Sequence, residues 1–193
     1  MQEQINAGLL GSIKAKQDFA TACGADICRT VETLVTAFQN GNKLLIFGNG
    51  GSAADAQHLA AEFVNRFLID RRPLAALALT TDSSILTSIG NDFSFDDIFL
   101  KQIQALGQVG DIALGISTSG NSPNVLKAIE QAKAMGLVTV GLTGGKGGKL
   151  LPLVDIGLNV PCFFTPHIQE AHLWVEHLLC QLVDEAMFGA SIR

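Results

Sequence analysis

Basic residues are scarce in this sequence: 13 Lys and Arg stand against 18 Asp and Glu, a net charge of −5. Non-specific binding to nucleic acid needs a cationic surface that neutralises phosphates, so that class is excluded. No run of 18 or so apolar residues occurs, and no segment is expected to span a membrane. The opening Met1-Gln2-Glu3-Gln4 has neither the basic start nor the apolar stretch of a secretory signal. Only four cysteines are present, Cys23, Cys28, Cys162 and Cys180, with no CxxC pair. They are too sparse for a disulfide framework and read as reduced thiols in a cytoplasmic protein. Charge of either sign is thin, 16% of residues against 48% hydrophobic. That imbalance fits burial against further subunits, or a monomer with a large α/β core.

A chain of 193 residues is the size of one domain, and residues 1–193 are expected to form one. Residues 1–41 read as a helical segment of two helices, about 4–22 and 25–40, the second closed by Asn40-Gly41-Asn42. In 42–193, short apolar runs alternate with helical patterns: Leu44–Phe47, Leu74–Leu79, Ile112–Ile116, Val138–Leu142 and Ile156–Val160. Each is too short for a helix, and the alternation predicts a five-stranded parallel sheet flanked by helices. A long helix follows from about Pro166 to Phe188, with Pro166 suited to its first turn. The helices at the two chain ends carry apolar faces beyond what such a core needs, and subunit contacts are expected there.

In parallel sheets ligands bind beyond the carboxyl ends of strands, where loops enter helices. One such loop reads Ser117-Thr118-Ser119-Gly120-Asn121-Ser122-Pro123. Its four hydroxyls can donate to phosphate oxygens, and the helix after Pro123 offers free N–H groups and a positive dipole end. One hydroxyl would suffice for an ordinary N-cap; four around a glycine point to an anion site. Gly48-Asn49-Gly50-Gly51-Ser52 also enters a helix, but it is neither a dinucleotide fingerprint nor a P-loop. Thr143-Gly144-Gly145-Lys146-Gly147-Gly148 reads as a flexible turn.

His58 and Glu62 lie four residues apart, on one face of a helix. Imidazole and carboxylate at that spacing suit zinc, or a plain solvent-facing pair. The last helix adds Gln169, His172 and His177. Gln169 and His177 are about 12 Å apart along a regular helix axis, so spacing alone does not make a metal site.

The run from Gly48 through Asp55, His58 and Glu62 to Arg66 resembles the phosphoheptose (sedoheptulose 7-phosphate) isomerases of the sugar isomerase (SIS) domain family. So do Gly90-Asn91-Asp92-Phe93, Gly115–Ser122, and Ile168-Gln169-Glu170 continuing to His177. The match covers nearly the whole chain in order. The resemblance implies a homotetramer with sites at subunit interfaces and one Zn2+ per subunit, on His58, Glu62, Gln169 and His177. It implies phosphate binding by Ser117, Thr118, Ser119 and Ser122, and a sugar site lined by Asn49, Gly50, Gly51, Ser52, Arg66, Asn91, Asp92 and Gln169. The implied reaction converts sedoheptulose 7-phosphate into D-glycero-D-manno-heptose 7-phosphate through an enediol, for ADP- or GDP-heptose and lipopolysaccharide synthesis. Glu62 and His177 would transfer the protons. Where relatives often carry an acidic-basic pair, this chain has Pro166-His167, and His167 reads as a helix-start residue.

A sister branch with this fold contains adaptors that bind the replication initiator DnaA. Met1-Gln2-Glu3, Asn65-Arg66-Phe67, and Lys101-Gln102 with Ala105-Leu106-Gly107 look like that branch. It lacks the carboxylate and the terminal histidine that Glu62 and His177 supply here. A sugar-phosphate-sensing regulatory domain is a third possibility, but it usually sits beside a DNA-binding segment.

Overall fold

The computed structural model describes residues 1–189. The chain runs α1 (Gln2–Gln39), β1 (Leu44–Gly48), α2 (Gly51–Val64), β2 (Ala76–Ala78), α3 (Ser83–Asp92) and a 3-10 turn (Phe95–Asp97). It continues α4 (Ile98–Leu106), β3 (Ile112–Ser117), α5 (Pro123–Ala134), β4 (Val138–Gly144), β5 (Ile156–Val160) and α6 (Thr165–Phe188). The five strands pair in parallel in the order β2-β1-β3-β4-β5. The α/β class, the five parallel strands and the single domain are as expected.

Strand residues alternate between two apolar layers, as the two-residue period of a strand requires. Leu44, Ile46, Ile112, Leu114, Ile116, Val140 and Leu142 face α1, α2 and α6. Leu45, Phe47 and Ala113 face the opposite layer, where Ile98, Phe99 and Ile103 of α4 meet Val125, Ala128 and Ile129 of α5. Burial on both faces explains why these strands read as unbroken apolar runs.

Two boundaries differ from expectation. Residues 2–39 form one helix of 38 residues rather than two. Gly24 weakens a helix by about 1 kcal/mol but does not end it. The buried stripe Phe19, Cys23, Ile27, Val31 and Leu34 runs through in phase, and packing holds the helix together. Near Cys23 the thiol also donates to the Asn159 carbonyl at 3.5 Å. Strand β2 is shorter than Leu74–Leu79 because Leu74 N–H turns away to the Phe63 carbonyl, 3.0 Å. The ending at Asn40-Gly41 holds: Asn40 caps α1, and Gly41 takes the left-handed φ of 79° that follows a helix end.

With this strand order, the connections from β1 and β3 leave in opposite directions. A crevice opens between their carboxyl ends, the place where a parallel sheet binds ligands. The loops Gly48–Gly51 and Ser117–Ser122 stand on either side of it.

Candidate active site

Helix α2 leaves the crevice and α6 packs along it, which brings together side chains 119 residues apart. His58 Nε2 lies 2.8 Å from His177 Nε2, and 3.5 Å from Glu62 Oε1. The three ligand atoms all fall within 4.8 Å of one another. Phe67 stacks on the His177 ring, centroids 5.5 Å apart and planes at 23°, and fixes its orientation. Burial, then the neighbouring His58, push the His177 pKa below the usual histidine value, while Glu62 pulls the other way. His177 is therefore a neutral imidazole at neutral pH. Two imidazole nitrogens and a carboxylate converging this closely form a donor set suited to a divalent transition metal such as zinc.

Gln169 does not join this cluster within one chain. It lies two turns earlier on α6, against the start of α2, where a Cβ added to Gly51 would be 2.5 Å from its Nε2. The α6 spacing of about 12 Å thus persists in the fold, because α6 is one regular helix from Thr165 to Phe188.

Of the loop residues, Asn49 and Asn124 exchange two amide hydrogen bonds of 2.8 Å each, tying the β1 loop to α5 across the crevice. Ser52 is buried in the first turn of α2, and Gly50 is its exposed cap. Ser117 and Ser122 hydroxyls bond each other at 2.9 Å. Thr118 and Ser119 instead line an adjoining cleft. Arg66, just past α2, is exposed. Asn91 and Asp92 close α3 on the surface, bonded to each other at 2.8 Å. Of these three, Arg66 directly precedes Phe67, which stacks on His177. His167 lies in the first turn of α6, as expected, packed on Gly11 and bonded to Glu170 at 3.1 Å.

Two residues shaping this region, Arg71 and Asp184, carried no signal in the sequence. Arg71 is buried and pairs with Asp184 at 2.9 Å. Glu176 is fully buried, and neither of its carboxyl oxygens has a hydrogen-bond partner among the described residues. Burial, with Asp55 nearby, pushes its pKa well above the usual carboxylate value. Buried His172 donates through Nε2 to the Thr143 carbonyl at 3.1 Å, and burial lowers its pKa to about 4. His172, Glu176 and Asp184 sit at buried positions of α6, and Arg71 lies in the loop between α2 and β2.

The sequence signature of the SIS domain matches residues 12–144. A phosphoheptose isomerase from Aneurinibacillus thermoaerophilus is 50% identical over 192 residues, covering 97% of this chain and 96% of its own. The chain belongs to the SIS-domain family. A phosphoheptose isomerase from Pelobacter propionicus is 57% identical over 156 residues, 81% of this chain and 82% of its own. Among solved structures, the phosphoheptose isomerase of Neisseria gonorrhoeae superposes with a TM-score of 0.90 at 44% identity, covering 95% of this chain and 98% of that one. The Francisella tularensis enzyme gives 0.91 at 40% identity, with the same coverage. The two solved structures share the arrangement of 95% of the chain.

Proposed function

We propose that this chain is an isomerase that converts sedoheptulose 7-phosphate into D-glycero-D-manno-heptose 7-phosphate. The observation that carries the reading is the convergence of His58, Glu62 and His177 where α2 packs on α6. Relatives that match the chain end to end bear the phosphoheptose isomerase name. The adaptor alternative gains no support from them, and an adaptor has no physical need of a proton-transfer pair.

Ketose-to-aldose conversion removes a proton from C1 of the opened sugar and returns one at C2. Glu62 is the proton carrier, since its carboxylate is partly exposed and faces the same point as the two imidazoles. Neutral His177 exchanges the hydroxyl proton when the sugar ring opens. The hydroxyl loop and the amino end of α5 hold the phosphate, which fixes the far end of the seven-carbon chain.

His58, Glu62 and His177 would hold the Zn2+, and Gln169 would complete the set from a neighbouring copy. When bound, that ion supplies Lewis acidity to the oxygens of the reacting carbonyl and enediol. The assembly is a homotetramer in the cytoplasm, and the product serves nucleotide-activated heptose synthesis.

Metal content and sedoheptulose 7-phosphate turnover, measured before and after chelation, test the reading; activity should follow metal content. Glu62→Gln should lower turnover at least about 100-fold with the fold intact by circular dichroism. Near-normal turnover in that variant would remove Glu62 from its role. An inactive wild type that captures the replication initiator would replace the enzyme with the adaptor.

A further inference from the structure

The glycine-rich stretch after β4, expected to be a flexible turn, is a built loop. Gly145 N–H donates to the carbonyls of Val160 (3.0 Å) and Cys162 (2.9 Å), and its own carbonyl accepts from Asn159 Nδ2 at 3.0 Å. Leu150 N–H reaches the Gly120 carbonyl at 2.9 Å, and Lys149 N–H reaches Asn121 Oδ1 at 3.2 Å. Gly145, Gly147 and Gly148 have φ of 62°, 81° and 55°, a shape that residues with a Cβ rarely adopt. From Gly144 to Gly148 the only side chain is that of Lys146.

This loop, the hydroxyl loop and the start of α6 enclose a cleft of about 390 Å³. Thr118, Ser119, Asn121, Lys146, Phe163 and Thr165 are among its walls. Lys146 forms no ion pair among the described residues. A phosphate monoester carries about −1.5 to −2 charges at pH 7. Hydroxyls bring no net charge, and a helix amino end brings about half a unit. The hydroxyl loop by itself therefore leaves most of the phosphate charge unmatched.

We propose that Lys146 is a substrate-positioning residue, its ammonium group neutralising a phosphate held at the Thr118–Ser119 side of the hydroxyl loop. The inference rests on the isomerase reading for its substrate but not for its site. A rigid, glycine-framed loop presents one unpaired cation to the cleft that two of the hydroxyls line. A charge-assisted contact of this kind tightens binding without touching the reacting carbons.

The test is Lys146→Ala beside Lys146→Arg and the control Lys149→Ala, which removes an equal charge from outside the cleft. KM for sedoheptulose 7-phosphate should rise about 10- to 100-fold in Lys146→Ala, with kcat within about threefold of wild type. Lys146→Arg should recover most of that loss, and Lys149→Ala should match wild type. Calorimetric binding of inorganic phosphate should weaken in parallel. Unchanged KM and phosphate affinity in Lys146→Ala, or an equal loss in Lys149→Ala, would overturn the proposal. A wild type with no turnover but Lys146-dependent phosphate binding would overturn the isomerase reading and leave this site standing.

Discussion

Arg71 frames the candidate site by tying its two helices together. Its guanidinium pairs with Asp184 of α6, the two side chains being 2% and 0% exposed. It also donates to the carbonyls of Glu62 (2.9 Å), Phe63 (2.7 Å) and Asn65 (3.2 Å), groups at the end of α2 with no intrahelical partner. One side chain thus ties the turn that carries Glu62 to the helix that carries His177. Arg71→Met should cost about 3–5 kcal/mol, because it leaves a buried carboxylate unpaired. Urea unfolding would measure the loss, and the double variant Arg71→Met with Asp184→Leu should recover most of it. At this scale the sequence was a partial guide. His58 and Glu62 stood out as a pair on one helix face, His177 joined them only through the family resemblance, and the fold brings the three together. Arg71 and Asp184 did not stand out, since a buried ion pair between residues 113 apart has no local pattern.

Loops at the carboxyl ends of β1, β3 and β4 act as one body, because each is bonded to its neighbour. Asn49 and Asn124 join the first two loops. Gly120 joins the second and third, with φ of 65° and no room for a side chain: a Cβ there would strike the Gly147 carbonyl. Gly120→Ala should therefore destabilise the protein by at least about 2 kcal/mol and raise KM for the phosphorylated substrate. Thermal melting and steady-state kinetics check the two effects; an alanine variant with both values unchanged would show the loops to be independent. The hydroxyl loop was legible because strand, polar glycine turn and Pro-initiated helix follow one another in sequence. The loop after β4 was misread because its rigidity comes from Gly120, Asn121, Asn159 and Val160, and glycine content alone reads as freedom.

Across the whole molecule, apolar surface is left over. Ile5, Leu9, Leu10 and Ile13 are exposed along the first turns of α1, and Phe163 and Phe164 are exposed just before α6. A row of this kind on a chain with few charges marks a contact surface. Light scattering should give a mass about four times the 20.4 kDa of one chain. Replacing Leu9 and Leu10 together by Glu should lower that mass, whereas a monomeric wild type would count against shared active sites.

By itself the sequence determined the class of fold, the polar glycine loops that follow the strands and the residue types of the candidate site. Those properties follow from periodicity, turn residues and side-chain chemistry, all of which act over a few neighbouring positions. Only the tertiary structure decided that His177 meets His58 while Gln169 stays at Gly51, and that α1 is unbroken. It also decided that Lys146 stands in the wall of a cleft. These depend on how α6 lies along α2, how a buried stripe outweighs one glycine, and how loops from separate strands bond to each other. Contacts between distant segments are set by packing of the whole chain, and no local run of residues encodes them.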